Sequence, residues 1–561
     1  MDTPALTATP TSWVLSGVVR DRETGKPLAQ AQVSAADRTM QADPEGRFRF
    51  PDPIPDLVVQ VRAAGYEEQR VVWKGESPLD IALNPERTVI LVFDRSSSKP
   101  LPGAIITASE TEIKTDAQGQ AILARLKAGD IVKASREGYR GEQITYYSGK
   151  EISLSLDPYV LRGAVRDRLS GDALSGANIG LRKGSQVQWV AVSDVRGRYE
   201  VKGIPVHSSV VITASGYLSF TAAITVGVGS SLTVNLEPFM VKGVYIPFGL
   251  LSLKDSVLGI FKLVDRTELN AVVVDVKSDR GRLAYQSQVE VARKGNAAFP
   301  GLMDLKEFLR LCDEKKIYTI ARIVAFKDPV LASVKPEWAI RRSNGSLYVD
   351  LEGLTWGDPY RQEVRDYNVA IAKEVAAMGF DEIQFDYLRF PSDGVISDIK
   401  YPVTNTVEAR SQAIAEFCAQ AYRALKPMGV AVSADLFGLV PWVEDGRDMG
   451  IGQRLKDIAS QVDYISPMLY PSTFVNGNLQ LDVPARYPYE VIYRSCLKVK
   501  EQTKTKLRPW LQHYSLWGIE YGTPELLAQK RAANDAKTYG WLFWNAGGVY
   551  NEAIFEPAKT K

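Results

Sequence analysis

FDEIQFDYLRF (380–390) is an apolar run of strand length, and it directly follows the amphipathic helical pattern RQEVRDYNVAIAKEVAAMG (361–379). Seven more such runs lie in the last 320 or so residues, and helical patterns separate many of them. They are VKGVYIPF (241–248), LNAVVVDVKS (269–278), IYTIARIVAF (317–326), VAVSADLF (430–437), VDYISPMLY (462–470), LRPWLQHYS (507–515) and GWLFWNAGG (540–548). Eight strands alternating with helices predict an α/β TIM barrel, (β/α)8, over residues 240–561, and the count of eight favours this closed barrel over a doubly wound open sheet.

The loops at the two ends of these strands differ in length. Helix-to-strand joints are short, as at KPMGV (426–430). Strand-to-helix loops are long, at about 277–301, 326–360 and 391–406. Long loops gathered at the carboxyl ends of barrel strands form a cleft, and in this fold that face holds the active site.

The composition limits which partners and which kinds of catalysis the chain could have. The 561-residue chain has 68 basic and 66 acidic residues, which argues against nucleic acid or an anionic membrane surface as its main partner. Its two histidines, His207 and His513, argue against a zinc site or a histidine-dependent triad, so catalysis would rest on carboxylates, and no cofactor or metal is implied. The three cysteines are far apart and are expected to be buried free thiols: Cys312, Cys418 and Cys496.

No targeting segment is visible in the sequence. No stretch approaches about 18 consecutive apolar residues, so no transmembrane helix is expected. Residues 1–10 lack a basic start and an apolar core, so no signal peptide is expected either. Such a chain is either cytoplasmic or has lost a leader.

The first 240 or so residues contain three repeats with a spacing of 73 residues. Asp21, Asp94 and Asp167 mark them, in GVVRDRETGKPLAQAQV (17–33), ILVFDRSSSKPLPGAII (90–106) and GAVRDRLSGDALSGANI (163–179). Each repeat later contains a Gly-Tyr pair, at 65–66, 138–139 and 216–217. Short segments rich in Val, Ile and Thr lie between the turns, which predicts three small all-β sandwiches at 13–86, 87–157 and 158–239, with the three aspartates as turn formers.

These repeats resemble the carboxypeptidase regulatory-like domain, an Ig-like, transthyretin-type sandwich. The shared pattern is D-x-x-(T/S)-G-x-x-L with the later Gly-Tyr pair, and the second repeat departs from it with Ser97-Ser98 in place of Thr-Gly. The resemblance implies modules that act as stalks or spacers. Carbohydrate binding by one of them is the alternative.

Acidic residues occupy the carboxyl ends of three predicted barrel strands: Asp275 in the second strand, Asp386 in the fourth and Asp435 in the fifth. A charged residue inside a parallel strand is costly to bury without a partner. Cleavage of a glycosidic bond gives a reason for such residues because it needs two carboxyl groups flanking the bond. Neighbouring strands lie about 4.8 Å apart, so Asp386 and Asp435 are expected to face each other, and crowding would drive their pKa values apart.

The alternative for these aspartates is an ordinary ion pair inside the barrel. Lys277 and Arg389 are the expected partners of Asp386 in that case. The sequence leaves both interpretations open.

Eight short motifs between residues 241 and 550 stand out together: GVYIPF (243–248), VVVDVKSDRG (272–281), QFDYLRFP (384–391), SADLFG (433–438), GIGQ (450–453), YISPMLYPS (464–472), RPWLQ (508–512) and GWLFWN (540–545). This segment resembles the glycosyl-hydrolase barrel family long known as a domain of unknown function. That family is similar to other sugar-cleaving barrels in which the strand-four acid is catalytic. The resemblance implies Asp386 as a catalytic carboxylate with Asp435 as its partner.

Two comparisons with other barrels limit the mechanism. Chitinase-type barrels have a catalytic glutamate where this chain has Leu388, which argues against substrate-assisted chemistry. α-Amylase-type barrels have a strand-five glutamate where this chain has Asp435, a shorter acid that would have to lie closer to the substrate.

Aromatic and polar residues near the strand ends fit sugar binding, because flat rings pack against the C–H faces of sugars while amides and hydroxyls fix sugar hydroxyl groups. Ordinary barrel packing is the alternative for each aromatic residue. Lys277 and Arg389 would contact an anionic or acylated sugar or, alternatively, orient the carboxylates. The residues expected to bind substrate are Tyr245, Lys277, Gln384, Arg389, Tyr470, Trp510, Gln512, Trp544 and Asn545.

The sequence therefore supports two functions of different classes. One is a glycoside hydrolase, endo-acting on an extracellular or cell-envelope polysaccharide, with Asp386 as nucleophile or base, Asp435 as general acid and Asp275 as a positioning residue. The other is a catalytically silent barrel that binds polysaccharide and serves as a surface adhesin or scaffold. Carboxyl groups about 5 to 9.5 Å apart over an open cleft favour the first, and carboxyl groups each held by Arg or Lys favour the second.

Overall fold

The computed structural model describes residues 13–54, 56–184, 186–227 and 229–558. The expectation of no signal peptide concerns residues 1–10, which lie outside these ranges. A β-rich N-terminal part precedes a closed eight-stranded barrel. The predicted fold class is therefore confirmed, and a doubly wound open sheet is excluded.

The N-terminal strands alternate buried and exposed residues, the pattern of two-sheet sandwiches. In the first module they are Val14–Asp21, Gln32–Ala35, Arg38–Gln41, Arg47–Pro51, Leu57–Arg62, Gln69–Trp73 and Leu79–Leu83. In the second they are Arg87–Asp94, Ile105–Ala108, Thr111–Lys114, Gln120–Ala124, Ile131–Ser135, Tyr139–Arg140, Glu142–Thr145 and Glu151–Pro158. In the third they are Val160–Asp167, Asn178–Lys183, Gln186–Val192, Arg198–Lys202, His207–Thr213, Phe220–Thr225, Ser230–Ser231 and Val234–Leu236.

The repeated aspartates form turns, as predicted, and each is also bound by the repeated tyrosine. Asp21 accepts the backbone N–H groups of Glu23 (2.7 Å) and Thr24 (2.9 Å) on Oδ1 and the Tyr66 hydroxyl (2.7 Å) on Oδ2. The same bond recurs in the other modules, at Asp94–Tyr139 (2.9 Å) and Asp167–Tyr217 (2.7 Å). The tyrosine of each Gly-Tyr pair thus binds the aspartate of its own repeat, and the same aspartate–tyrosine corner occurs in all three modules.

A side chain of the second module also binds the corner of the first module. Arg125 donates from Nε to Asp21 Oδ2 (2.6 Å) and from Nη2 to Glu23 Oε2 (2.9 Å). A Cβ atom at Gly65, where φ is +85°, would lie 2.9 Å from the Arg125 backbone. Glycine is therefore required there, both for the backbone conformation and for the close approach.

The described chain divides into two compact units. The first contains the first two sandwiches and part of the third, namely the residues up to Gly163 with Glu200–Ser208 and Ala223–Leu232. The second contains the rest of the third sandwich and the barrel, namely Ala164–Tyr199, Ser209–Ala222 and the residues from Thr233 onward.

Eight parallel strands form the barrel: β1 (Val241–Ile246), β2 (Ala271–Lys277), β3 (Tyr318–Val324), β4 (Glu382–Asp386), β5 (Ala431–Phe437), β6 (Tyr464–Leu469), β7 (Lys506–Leu507 and Trp510–Gln512) and β8 (Gly540–Trp544). Each pairs with the next, and β8 pairs with β1 to close the ring. At the closure a Cβ atom on Gly540 (φ +95°) would lie 1.8 Å from the Val241 carbonyl oxygen, so only glycine fits.

Nine α-helices accompany the barrel strands in the described residues: α1 (Lys254–Arg266), α2 (Glu290–Lys294), α3 (Leu305–Lys315), α4 (Pro329–Val334), α5 (Gln362–Met378), α6 (Val407–Leu425), α7 (Leu455–Ala459), α8 (Pro488–Gln502) and α9 (Thr523–Asp535). Side chains cap several of them. Asp304 is the N-cap residue of α3 and Thr406 is the N-cap residue of α6. Each side chain accepts hydrogen bonds from backbone N–H groups of the first turn. The three cysteines lie in these helices and are buried free thiols, as predicted.

The barrel core is apolar towards the helices and more polar inside the ring. The layer between strands and helices is a single hydrophobic cluster that includes Val272, Phe308 and Ile383. Inside the ring, Glu382 of β4 pairs with Arg508 beside β7, and both are fully buried. Nowhere in the described ranges is a helix long and apolar enough to cross a membrane.

Candidate active site

Three aspartates meet near the carboxyl ends of the barrel strands. Asp275 is in β2, Asp386 is the last residue of β4, and Asp435 is in β5. They are almost completely buried, with exposed fractions of 5%, 5% and 1%. The structure thus brings together the three carboxyl groups that the sequence singled out.

Arg322 lies between these three carboxyl groups. It is in β3, opposite Asp275 in the strand register, and donates to Asp275 Oδ1 from Nη1 (2.5 Å). Its Nη2 and Nε donate to Asp386 Oδ2 at 2.5 and 3.1 Å. Although burial opposes the charge, the carboxylates hold the pKa of Arg322 well above its usual range. The guanidinium is therefore a permanent cation at the centre of the cluster.

The same arginine limits the separation of Asp386 and Asp435. Oδ2 of Asp386 and Oδ2 of Asp435 lie 3.1 and 4.0 Å from Arg322 Nε, so these two oxygens are at most about 7.1 Å apart. A separation within this limit is compatible with the 5 to 5.5 Å between the two carboxyl groups of retaining glycosidases. It is also compatible with the lower part of the range of separations in inverting glycosidases.

Asp386 is held in one orientation by the chain itself. The next residue, Tyr387, has φ +50°, and its backbone N–H donates to Asp386 Oδ1 (2.5 Å). A left-handed conformation is costly for a tyrosine, and strain of this kind is concentrated at functional sites. With Arg322 on Oδ2, both oxygens of Asp386 are bound by hydrogen-bond donors.

Asp435 has two oxygens in different environments. Oδ1 accepts the indole N–H of Trp510 (2.8 Å). Oδ2 is buried and has no hydrogen-bond partner in the described structure. Burial and the nearby charge of Asp386 raise the pKa of Asp435 well above its usual range. The surroundings of Asp435 therefore favour its protonated form, and Oδ2 is the oxygen free to carry the proton.

Asp275 is bound on both oxygens. Besides Arg322 on Oδ1, its Oδ2 accepts the Tyr245 hydroxyl at 2.5 Å. Burial raises the pKa of Asp275 in spite of the Arg322 charge, and burial also raises the pKa of Tyr245 well above its usual range. Tyr245 therefore remains a hydrogen-bond donor, and Asp275 links Tyr245 to Arg322.

Three predicted aromatic residues form one wall beside the carboxyl groups. Tyr245 stacks on Trp544, with ring centroids 3.8 Å apart, and the edge of Trp510 faces both rings at 6.3 and 5.6 Å. The Arg322 guanidinium lies 5.1 Å from the Trp544 ring. Trp544 is half-buried, whereas Tyr245 and Trp510 are buried. Tyr470, at the end of β6, is buried against Tyr514.

Three predicted substrate-binding residues have structural partners instead. Lys277 is fully buried and binds Asp328 (2.8 Å) together with three backbone and amide oxygens. Gln512 is bound by Ser472 and Tyr514, and it is fully buried. Asn545 donates to a backbone carbonyl and accepts two N–H groups of its own turn. None of the three contacts the carboxyl cluster, so these contacts give no support to a role in substrate binding.

The other two predicted residues border the cluster. Gln384 lies one inward-facing position below Asp386 in β4, and its Oε1 is buried without a partner in the described structure. Arg389 follows β4 and is 7% exposed. Neither Lys277 nor Arg389 forms an ion pair with Asp386 within 4.0 Å; Arg322 does.

Arg322 is the site residue that sequence reasoning missed. It stands in the apolar run IYTIARIVAF (317–326), and a lone arginine inside a predicted parallel strand was the available signal. Its placement opposite Asp275 depends on strand register, which the sequence does not give.

No group of three or more His, Cys, Asp or Glu residues suited to a metal ion occurs in the parts of the chain that the structure describes. Within the carboxyl cluster, Arg322 is a cation that offsets part of the negative charge.

The barrel fold and its match to a family model together define a domain of the glycosyl-hydrolase kind. Residues 243–550 match the family described as "Putative glycosyl hydrolase domain", and residues 14–84 and 160–237 match the carboxypeptidase regulatory-like domain. The chain belongs to this glycosyl-hydrolase-domain family. Both resemblances expected from the sequence are therefore confirmed, and family membership supports a glycosidase-like function.

Several solved structures are similar to this chain. A hypothetical protein from Ruminiclostridium thermocellum is 37% identical over 34% of this chain and 96% of its own, with a TM-score of 0.32. The PgaB (BpsB) glycoside hydrolase domain from Bordetella bronchiseptica is 12% identical over 55% of this chain and 94% of its own, with a TM-score of 0.42. Alpha-L-fucosidase isoenzyme 2 from Paenibacillus thiaminolyticus is 15% identical over 57% of this chain and 48% of its own, with a TM-score of 0.40. No curated protein sequence matches the chain.

Proposed function

We propose that the barrel is a glycoside hydrolase in which Asp435 is the general acid and Asp386 is the nucleophile or base. The observation that carries this proposal is the unpartnered, buried Oδ2 of Asp435 beside the carboxylate of Asp386. Two carboxyl groups whose environments drive their pKa values apart are the usual source of an acid and a base in one site.

Each residue has a step in this mechanism. Asp435 donates the proton of Oδ2 to the glycosidic oxygen as the C–O bond breaks. Asp386, bound by Arg322 and the Tyr387 N–H, has two possible roles. It either attacks the anomeric carbon to form a glycosyl-enzyme, which water then hydrolyses with Asp435 as base, or it takes a proton from the attacking water. Asp275 and Tyr245 hold Arg322 in place.

The substrate in this proposal is a polysaccharide, cut internally and located outside the cytoplasm or in the cell envelope. The half-buried Trp544 supplies a ring face suited to a sugar, and the sandwich modules suit a spacer role.

One observation favours the silent, polysaccharide-binding alternative. Arg322 binds both Asp275 and Asp386, and an ion pair of this kind needs no catalytic explanation. Asp435 is not explained in that way, because its nearest cationic nitrogen is 4.0 Å away.

The test is reducing-end release from a panel of bacterial and plant polysaccharides by wild type and by Asp386→Asn. We expect wild type to cut one polymer and the variant to lose at least about a hundredfold, the effect of removing an acid–base or nucleophilic group. Asp448→Asn is the matched control, because Asp448 is equally buried and paired with an arginine, Arg410 (2.6 Å), outside the cluster.

Two results would overturn the proposal. If wild type binds a polymer but cuts none, the barrel is a binding scaffold. If Asp386→Asn cuts as well as Asp448→Asn, the site assignment is wrong.

A further inference from the structure

Buried cations in this barrel are paired, with one exception. Eight Lys or Arg side chains of the described residues are at most 9% exposed. Seven of them have a carboxylate oxygen within 4.0 Å: Lys277, Arg322, Lys327, Arg365, Arg410, Arg508 and Lys530. Arg389 is 7% exposed and has none in the described structure. An unpaired charge is much more costly to bury than a paired one, so Arg389 requires an explanation.

One edge of the Arg389 guanidinium is free. Nη1 donates to the Phe390 carbonyl oxygen (3.1 Å) and the Ser392 hydroxyl (3.0 Å). Nε and Nη2 donate to no acceptor in the described protein. These two nitrogens form the edge that binds both oxygens of a carboxylate side by side.

Aromatic rings surround the guanidinium but provide no hydrogen-bond acceptor for its Nε–Nη2 edge. Its Cζ lies 5.0 Å from the ring of Trp356, 5.1 Å from that of Tyr387 and 5.0 Å from that of Phe437. Rings stabilise a cation but do not replace a hydrogen-bond acceptor. Burial lowers the pKa of Arg389, as expected for a cation without a close partner.

Arg389 lies beside the proposed catalytic pair. Tyr387, one of its three rings, directly follows Asp386, and Phe437 is two residues beyond Asp435. Tyr387 and Phe437 are half-buried, so this aromatic pocket adjoins solvent.

We propose that Arg389 binds the carboxylate of an acidic sugar, which makes a uronate-containing polysaccharide the substrate class. The proposal rests on the hydrolase function proposed above and adds the charge of the substrate to it. The Nε–Nη2 edge pairs with the two carboxylate oxygens, and the bound sugar lies next to Asp386.

The experiment compares the full chain on acidic polymers and on their neutral counterparts. Polygalacturonate, alginate and hyaluronan are each tested beside the same polymer after carboxyl reduction. We expect wild type to cut one acidic polymer with a kcat/KM at least about thirtyfold above that for the reduced form, the effect of losing one partner of a buried charge pair.

Variants separate binding from structure. Arg389→Gln should lower kcat/KM on the acidic polymer by a similar factor, mainly through KM, and should lower kcat/KM on the reduced polymer much less. Arg389→Lys, which keeps the charge but not the two-nitrogen edge, should be intermediate. Arg410→Gln removes another buried arginine and should not change the preference for the acidic polymer.

Equal cleavage of acidic and reduced polymers by wild type would overturn the subsite and leave the hydrolase proposal standing. So would an equal loss on both polymers in Arg389→Gln. If wild type cuts nothing, the hydrolase proposal fails. Equilibrium binding of the same polymers then decides whether the subsite proposal stands. Preferential binding of an acidic polymer that Arg389→Gln abolishes supports the subsite, and equal binding of both forms overturns it.

Discussion

At the scale of single residues, the chemistry depends on the difference between Asp386 and Asp435. Donors contact both oxygens of Asp386, whereas Asp435 has the Trp510 N–H on one oxygen and no partner on the other in the described structure. Burial and the nearby charge of Asp386 raise the pKa of Asp435 and so oppose the charge on that carboxyl group. The two side chains are chemically alike, so the different roles proposed for them depend on their surroundings alone.

This difference predicts how stability changes with pH. Because the pKa of Asp435 is raised in the folded state, its proton stabilises the fold at low pH, and that contribution is lost as pH rises from about 3.9 through the folded pKa. Asp435→Asn does not titrate, so it should gain stability relative to wild type by up to about 1.4 kcal/mol per pH unit across that window. Urea midpoints of the barrel transition at pH 5 and pH 8 measure this change.

A stability difference between Asp435→Asn and wild type that is the same at pH 5 and pH 8 would contradict the raised pKa. Asp448→Asn is the control. Arg410 and nearby backbone N–H groups lower the pKa of Asp448 despite its burial, so that variant should show no gain between pH 5 and pH 8.

Sequence reasoning found the carboxyl groups but not their cation, for a physical reason. Acidic residues at strand ends are conspicuous because burying them is costly. Lys277 was predicted to contact the sugar or to orient the carboxylates, and a regular strand would place it on the same face as Asp275, two residues earlier. The structure has a register irregularity between Asp275 and Lys277, and Lys277 instead binds Asp328 and Asn368 of the helical layer.

At the scale of strands and helices, apolar run length and spacing predicted all eight barrel strands. β7 differs from its predicted form. The run LRPWLQHYS (507–515) reads as one strand, but the structure divides β7 between Lys506–Leu507 and Trp510–Gln512. Pro509 lies in the gap, and proline has no N–H to donate to a strand ladder.

The division of β7 also places Arg508 inside the ring, where it pairs with Glu382 of β4. Arg508 Nη1 lies 3.1 Å from Glu382 Oε2, and both side chains are fully buried. Arg508→Met would leave a buried carboxylate without its cation, and we expect it to destabilise the barrel by about 3 to 5 kcal/mol.

The double variant Glu382→Leu/Arg508→Met tests that explanation. Removing both charges should restore most of the stability that Arg508→Met loses, as measured by urea unfolding, because the cost is that of an unpaired charge. A double variant as unstable as the single one would show that packing, rather than charge pairing, is responsible.

At the scale of the whole molecule, the sequence predicted a β-rich N-terminal part and a C-terminal barrel, and both are confirmed. The repeat spacing revealed the sandwiches because each repeat builds the same aspartate–tyrosine corner. The boundaries 13–86, 87–157, 158–239 and 240–561 remain predictions. Contacts such as Arg125–Asp21 join distant parts of the sequence and could not be foreseen from spacing.

The central claim for the whole molecule is that it cleaves glycosidic bonds with Asp435 as acid and Asp386 as nucleophile or base. The most direct test compares Asp435→Asn and Asp386→Asn on the polymer that wild type cuts and on an aryl glycoside of the same sugar with a good leaving group. Such a leaving group departs without a proton, so it makes the general acid unnecessary.

We predict that Asp435→Asn loses at least about a hundredfold in kcat/KM on the polymer but stays within about tenfold of wild type in kcat/KM on the aryl glycoside, because kcat/KM reports the steps up to departure of the leaving group. Asp386→Asn should lose at least about a hundredfold on both substrates. Equal losses for Asp435→Asn on the two substrates, or no loss on either, would contradict the assignment of Asp435 as the acid.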